Sequence, residues 1–268
     1  MSSLKILFIG DICGSLGRKT ATALVPGLRK EFSVDLVIAN GENAAHGKGL
    51  TAKTADELFA AGIDWLTSGD HCFDQASGIE DCFGGNRNII RPANYAADAP
   101  GNGYAIISTD KGDVLLMNLI GRVFMSRQYD DPFRKAEEIL NNCTDKRFSA
   151  ILADIHAEAT SEKIALRHFL DGRIGALIGT HTHVQTADKQ ITAKGTGYMS
   201  DVGMTGLADG VIGIAAAPIV AAFLSQTKQK HELPDTGSAM LNGVVLSFDP
   251  VNGHCLDMNP IQRFITIS

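Results

Sequence analysis

No two cysteines in this chain are spaced as a C-x-x-C pair. The five present (Cys13, Cys72, Cys82, Cys143 and Cys255) are scattered and odd in number. That excludes a disulfide framework and fits a reducing cytoplasm. Long apolar runs are missing too: no stretch reaches the ~20 residues of a membrane-spanning helix. The opening MSSLKILFIGD carries an apolar run too short for a signal peptide, closed by Gly10 and Asp11. Positive charge is not in excess. With 24 Lys and Arg against 30 Asp and Glu the formal net charge is −6, so no global basic field points to nucleic acid or a membrane surface. Repeats, linkers and low-complexity tracts are absent. What remains is an ordinary globular composition, 44% hydrophobic and 20% charged over 268 residues, enough for a large core. The expectation is a cytoplasmic protein of one domain, residues 1–268.

Periodicity predicts the elements. Lys5–Gly10 reads as a buried strand. A helix follows to about Phe32, with Pro26 marking a kink or a break. Asp35–Asn43 is a second strand and its exit. Thr51–Gly62 is a helix with Thr51 as N-cap and Gly62 as its stop. Asp64–His71 is a third strand and exit. This β-α-β-α-β order predicts parallel strands joined by right-handed crossovers. Gly103–Gly121 then reads as an antiparallel hairpin around Asp110–Asp113, and Asp130–Asn142 as a helix with acids at its start. Phe148–Glu158 is a strand, Ser161–Gly172 a helix, and the apolar run ending at Gly179 another strand. Val211–Leu224, the most hydrophobic region, is interrupted by Pro218 and reads as a buried helix. Two hairpins, within Lys189–Asp201 and Asn242–Met258, complete the chain. The elements predict an α/β protein with one central mixed sheet, helices outside and antiparallel strands toward the edges.

Five of the strands end alike. FIGD delivers Asp11, ANGEN delivers Glu42 and Asn43, SGDH delivers Asp70 and His71, ADIHAE delivers His156, and GTHTH delivers His181 and His183. Each runs apolar and then releases a carboxylate, an imidazole or an amide, in four cases beside or close to a glycine. Carboxyl ends of neighbouring parallel strands share one rim, where ligand-binding groups gather in α/β proteins. Carboxylates packed together repel, and a dication removes that penalty. The donors outnumber the four to six that one ion takes. Two ions about 3.5–4 Å apart, bridged by a carboxylate such as Glu42, would use them all. Such a pair acidifies a water and clamps phosphate oxygens, so the donor count favours phosphoester hydrolysis.

The longer strings FIGDICGSLGR, NGENAAHGKGLT, HAEATSEKIAL, GTHTHVQTAD and SDVGMTG resemble the YmdB-type bacterial phosphodiesterases of the calcineurin-like metallophosphoesterase superfamily. The resemblance covers Leu4 to about Gly213 and weakens over the last fifty residues. It implies a four-layered sandwich of mixed β-sheets flanked by helices, with a dinuclear metal centre, often of iron, manganese or zinc being alternatives. By position, Asp11, Glu42, Asn43 and His183 would hold one ion. Glu42, Asp70, His156 and His181 would hold the other, with Glu42 shared. His71 would be the catalytic acid. The implied substrates are cyclic nucleotides, including 2′,3′-cyclic AMP, cleaved by a metal-bridging hydroxide, and the implied cellular link is to RNA turnover without a membrane partner. A phosphomonoesterase with the same metals, and a low-activity regulatory protein that binds nucleotide or RNA, remain open. Two departures stand out. The superfamily's D-x-H reads DIC here, with Cys13 in the third place. Its G-N-H reads GDH, so Asp70 is an anion where a neutral amide is usual.

Other polar residues divide between site and surface. Arg87, Arg91, Arg122 and Arg127 are candidates for phosphate contact. Asp154 and Glu158 bracket His156 and could steer its ring. His46 could sit over the substrate or face solvent. Cys13 and Cys72 flank the expected site and could ligate zinc, but read rather as small near-buried residues. His168 lies on a helix and reads as non-functional, whereas His231 and His254 lie outside every motif and read as surface. Asp201–Gly206 is glycine-rich but lacks the Walker lysine pattern.

Overall fold

The structure is a computed structural model that describes residues 2–85 and 87–268. The chain opens with β1 (Leu4–Ile9), β2 (Asp11–Ile12) and α1 (Gly14–Phe32), then β3 (Leu36–Asn40), α2 (Ala52–Ala60), β4 (Trp65–Thr67) and the short α3 (Ile79–Phe83). The middle comprises β5 (Tyr104–Thr109), β6 (Gly112–Ile120), α4 (Pro132–Asn141), β7 (Ala150–His156), α5 (Thr160–Leu170), β8 (Ala176–Thr180), β9 (Gln190–Ile191) and β10 (Gly197–Met199). After β11 (Met204–Leu207) and α6 (Ala216–Ser225), a long hairpin of β12 (Gly237–Phe248) and β13 (Cys255–Ile267) follows.

These strands form two sheets where the element order had suggested one. The first runs β2-β11-β12-β1-β3-β4, with β13 on β12; the second runs β5-β6-β7-β8-β10-β9. Within them β1, β3 and β4 are parallel, as are β6, β7, β8 and β10. The hairpin β5–β6 is antiparallel as expected, and so is β12–β13.

Side-chain alternation explains the layering. Leu4, Ile6 and Phe8 of β1, with Ile38 and Leu246, pack against Val114, Leu116, Leu152 and Ile178 of the second sheet. Leu7, Ile9 and Val37 point the other way, onto Val25 and Leu28 of α1 and Leu58 of α2. On the far side Leu115, Met117 and Ile155 meet Ile139 of α4 and Leu166 and Leu170 of α5. Helix, sheet, sheet, helix gives the four layers implied by the resemblance.

Local chemistry sets the boundaries. Thr51 caps α2 reciprocally with Thr54, and Gly62 beyond its end takes φ +96°. Helix α1 continues through Pro26, whose ring is exposed while Val25 and Leu28 hold the inner face. A second expectation also fails. Helix α6 has no buried residue, and Phe223 and Leu224 are 80% and 83% exposed. Pro218 sits in its first turn, where a missing N–H costs nothing. An all-round apolar sequence is ordinarily a buried one, but among the described residues no layer covers this helix. No helix among them is long and apolar enough to cross a membrane.

Phe8 is fully buried between the sheets. Phe8→Ala is expected to cost about 3–5 kcal/mol of stability through the cavity it leaves. The midpoint of urea unfolding measures it; a loss below about 1 kcal/mol would mean the two sheets are not held by this shared layer.

Candidate metal centre

The carboxyl ends of β3 and β4 meet those of β7 and β8 across the two sheets. His156, the last residue of β7, is fully buried, and its Nε2 lies 3.2 Å from Glu42 Oε2 and 3.2 Å from Asp70 Oδ1. His181 Nδ1 is 3.0 Å from the same nitrogen and 3.6 Å from Asp70 Oδ1. One donor atom from each of Glu42, Asp70, His156 and His181 lies within 4.8 Å of all the others. Gly69 makes the approach possible: a Cβ there would strike Glu42 Oε2 and the His156 ring.

Glu42 and His156 are aimed by bonds around them. Asn40 Oδ1 accepts the Glu42 N–H at 3.0 Å, and Glu42 Oε2 accepts the His71 N–H at 3.1 Å. Thr180 donates its hydroxyl to Asp154 Oδ1 at 2.8 Å. Its oxygen is therefore the acceptor for His156 Nδ1–H, 2.9 Å away, which turns Nε2 toward the cluster. Asp154 thus steers His156 through Thr180. Glu158 instead lies 3.2 Å from His181 Nε2.

The remaining expected ligands lie close by but less tightly gathered. Asp11 Oδ2 accepts the His181 N–H at 3.2 Å. Its Oδ1 is buried with no hydrogen-bond partner, and so is Asn43 Oδ1. His183 Nδ1 donates to the Ile212 carbonyl at 3.0 Å, leaving Nε2 for a ligand. Asn43, His183 and His71 line one cavity with Glu42 and His181. Two orphaned buried oxygens beside a nitrogen and oxygen donor set fit a metal ion.

His181 and His183 lie just beyond β8, both in left-handed backbone at φ +96° and +65°. They occupy a bend rather than sharing the face of a strand. Asp201 pins that bend: Oδ2 accepts the Thr182 N–H at 2.9 Å, the Thr182 hydroxyl at 2.8 Å and Lys163 Nζ at 3.2 Å. Lys163, only 1% exposed, also donates to the Thr180 carbonyl at 2.7 Å. Sequence reasoning passed over this pair. The signal was present, because Lys163 shares a helical face with Leu166 and Leu170, where an unpaired lysine cannot be buried.

Charge follows the same geometry. Burial would lower the His156 pKa, but Glu42, Asp70 and Asp11 raise it well above its ordinary value. His183 is likewise raised against burial, by Cys13 and Asp11. Burial pushes the Glu42 and Asp70 carboxyls up, yet the imidazoles around them bring both below the usual range. Asp11, wholly enclosed, is raised by burial, and Asp154 is pushed up to about 7 by the same cause.

The outer residues sort plainly. His71 Nδ1 is 2.8 Å from Asp74 Oδ2, and Asp74 Oδ1 accepts Arg127 Nη2 at 3.1 Å. Arg91 is buried on the carbonyls of Pro92, Ala99 and Pro100, Arg87 pairs with Asp56, and Arg122 lies 3.6 Å from Asp131. Of the four arginines only Arg127 thus reaches a residue bonded to His71. Cys13 and Cys72 are buried, the Cys72 thiol pushed up to about 12 by burial. His46 lines the cavity, and so does His231, which had read as plain surface; His168 and His254 do not.

The sequence profile of the YmdB-like proteins matches residues 7–261. The chain belongs to that family. It is 43% identical over 246 residues to a 2′,3′-cyclic-nucleotide 2′-phosphodiesterase of Bacillus subtilis, covering 92% of each chain. Among solved structures, a novel phosphatase from Mycoplasma pneumoniae superposes with a TM-score of 0.92 at 31% identity, covering 100% of this chain and 95% of that one. A hypothetical protein from Thermus thermophilus gives 0.89 at 36% identity, covering 99% and 100%. The likeness extends well past Gly213, contrary to expectation. The last fifty residues carry little chemistry, but β12 sits in the middle of the first sheet and belongs to the YmdB-like framework.

In this YmdB-like centre a cation must displace protons held on His156 and His183 above their ordinary pKa. Metal affinity is therefore expected to rise with increasing pH, with proton release on binding. Calorimetric titration in buffers of different ionisation heat measures both. An affinity independent of pH, with no protons released, would contradict this geometry.

Proposed function

We propose that this YmdB-like chain is a metal-dependent phosphodiesterase that opens 2′,3′-cyclic nucleotides at the bond to the 2′ oxygen. The observation that carries the reading is the convergence of Glu42, Asp70, His156 and His181 to within 4.8 Å at the meeting ends of two sheets. The activity named for the Bacillus subtilis relative supports the substrate class. Glu42, Asp70, His156 and His181 would hold one ion, and Asp11, Asn43 and His183, with Glu42, would hold a second. The partnerless oxygens of Asp11 and Asn43 support that second position. Iron is the metal the family resemblance favours. Bound there, the ions supply Lewis acidity, which acidifies water and offsets charge on the phosphoryl oxygens.

The protein's own groups do the rest. Asp74 accepts His71 Nδ1–H and so leaves Nε2 to carry the proton given to the departing 2′ oxygen. Arg127 keeps Asp74 in place from the other side. Lys163 and Asp201 hold the bend that presents His181 and His183. The five cysteines are free and buried, which supports a reducing, cytoplasmic setting. Asp70 supports a second reading, a regulatory nucleotide-binding protein of slow turnover, because an extra anion at the metals weakens their pull on substrate.

His71→Ala is expected to lower kcat on 2′,3′-cyclic AMP by about 10²–10⁴-fold while metal content stays the same. Turnover that ignores added metal, or survives His71→Ala intact, removes the hydrolase mechanism; faster turnover of a simple phosphomonoester would replace a diesterase with a monoesterase. Asp70→Asn is expected to raise turnover or alter the preferred metal. An unchanged rate at unchanged metal content and selectivity would mean the added charge has no catalytic consequence.

A further inference from the structure

The cavity over the cluster measures about 640 Å³, in the range of ~300–1,000 Å³ found for sites that enclose whole small molecules. Its lining has two chemistries. Glu42, Asn43, His181 and His183 offer metal donors. Ile212, Ile214 and Leu233 offer apolar surface, accompanied by the imidazoles of His46 and His231. A bare phosphate would leave the second part unused.

Ile212 is the informative residue. Its φ of +46° lies in the left-handed region, a poor place for a β-branched side chain. Its carbonyl accepts from His183 Nδ1, but glycine or asparagine would present that carbonyl with less strain. The isoleucine side chain therefore has a separate use, and 49% of the residue is exposed in a cavity wall. Leu233 closes on the same space from another part of the chain. It is seated against Gly14 and Gly47, where an added Cβ would come within 3.2 Å and 3.0 Å of its side chain.

We propose that Ile212, Ile214 and Leu233 form a subsite for the nucleobase, with the base face on the aliphatic side chains and its polar edge toward His46 and His231. A purine suits this lining because it is uncharged, flat and apolar on its faces, and polar at its rim. An acyl chain would find no use for the two imidazoles. The assignment rests on the cyclic-nucleotide reading of the same cavity and names what recognises the organic half of that substrate.

Adenosine, which carries no phosphate, tests the subsite independently of hydrolysis. Calorimetry on the wild-type full chain is expected to show saturable binding, weakened about tenfold or more by Leu233→Ala and by Ile212→Asn. Asparagine tolerates the left-handed backbone and so removes the apolar surface alone. No saturable binding, or unchanged affinity in two variants with native circular dichroism, overturns the proposal. Wild-type rates supply a second measurement that needs no variant. The kcat/KM for 2′,3′-cyclic AMP is expected to exceed that for ribose 2,3-cyclic phosphate, which lacks a base, by about tenfold or more, through KM. Equal values overturn the base subsite and leave the hydrolase reading standing. Adenosine binding without hydrolysis of either cyclic phosphate supports the subsite and removes the hydrolase reading.

Discussion

Three carboxylates, Asp11, Glu42 and Asp70, are buried around one imidazole at the place where two sheets meet. Like charges removed from water are unfavourable unless a cation lies between them. These surroundings favour protons on His156 and His183, both raised against the effect of burial. Protons are a partial answer, because Asp11 is itself pushed toward neutrality. A dication between Glu42 and Asp70, with a second beside Asp11, would satisfy all three carboxylates and free the imidazoles to act as ligands. The need for positive charge at this point organises everything around it.

Holding such a cluster requires a rigid floor. Between the cluster and the apolar layer shared by the sheets lies a polar tier of Asn40, Thr67, Asp154 and Thr180. Asp154 accepts from both threonines and from Asn40, and Asn40 also fixes the Glu42 backbone. A satisfied buried network of this kind resists rearrangement, because losing one partner strands another. The Lys163–Asp201 pair extends it sideways beneath His181 and His183. Breaking either half of that pair would leave a buried charge alone, so the bend is over-determined, as two left-handed histidines require.

Much of this was legible in the chain, and the legible part was chemical. An apolar run that stops at Asp11, at Glu42, at Asp70 or at His156 marks a strand end whatever the sheet. Thr51 announced a helix start as its N-cap. How the strands divide between two sheets was not legible. A strand buried on both faces has the same residues whether a helix or another sheet covers it, so the expectation of one rim from β1 through β8 became two rims stacked edge to edge. Helix α6 misled for a related reason: an apolar sequence states a preference for burial, but burial needs a covering layer. His231 was invisible because no local pattern links a loop after α6 to a loop after β3. Leu233, seated against Gly47, makes that link.

Asp70 can be argued one step further. Its Oδ1 touches both His156 and His181, so it favours any positive charge there. Coulomb energy scales with the product of the charges, so one added anion stabilises a dication roughly twice as much as a proton at equal distance. Asp70 would therefore tilt the competition for Nε2 of His156 toward a metal. The same field would reduce that metal's hold on phosphoryl oxygen. An aspartate here would retain an ion more firmly at some expense of electrophilicity, which places more of the substrate binding away from phosphorus. Ile212 stands where that exchange becomes physical: its backbone carbonyl aims His183, and its side chain faces the part of the cavity that phosphate does not fill.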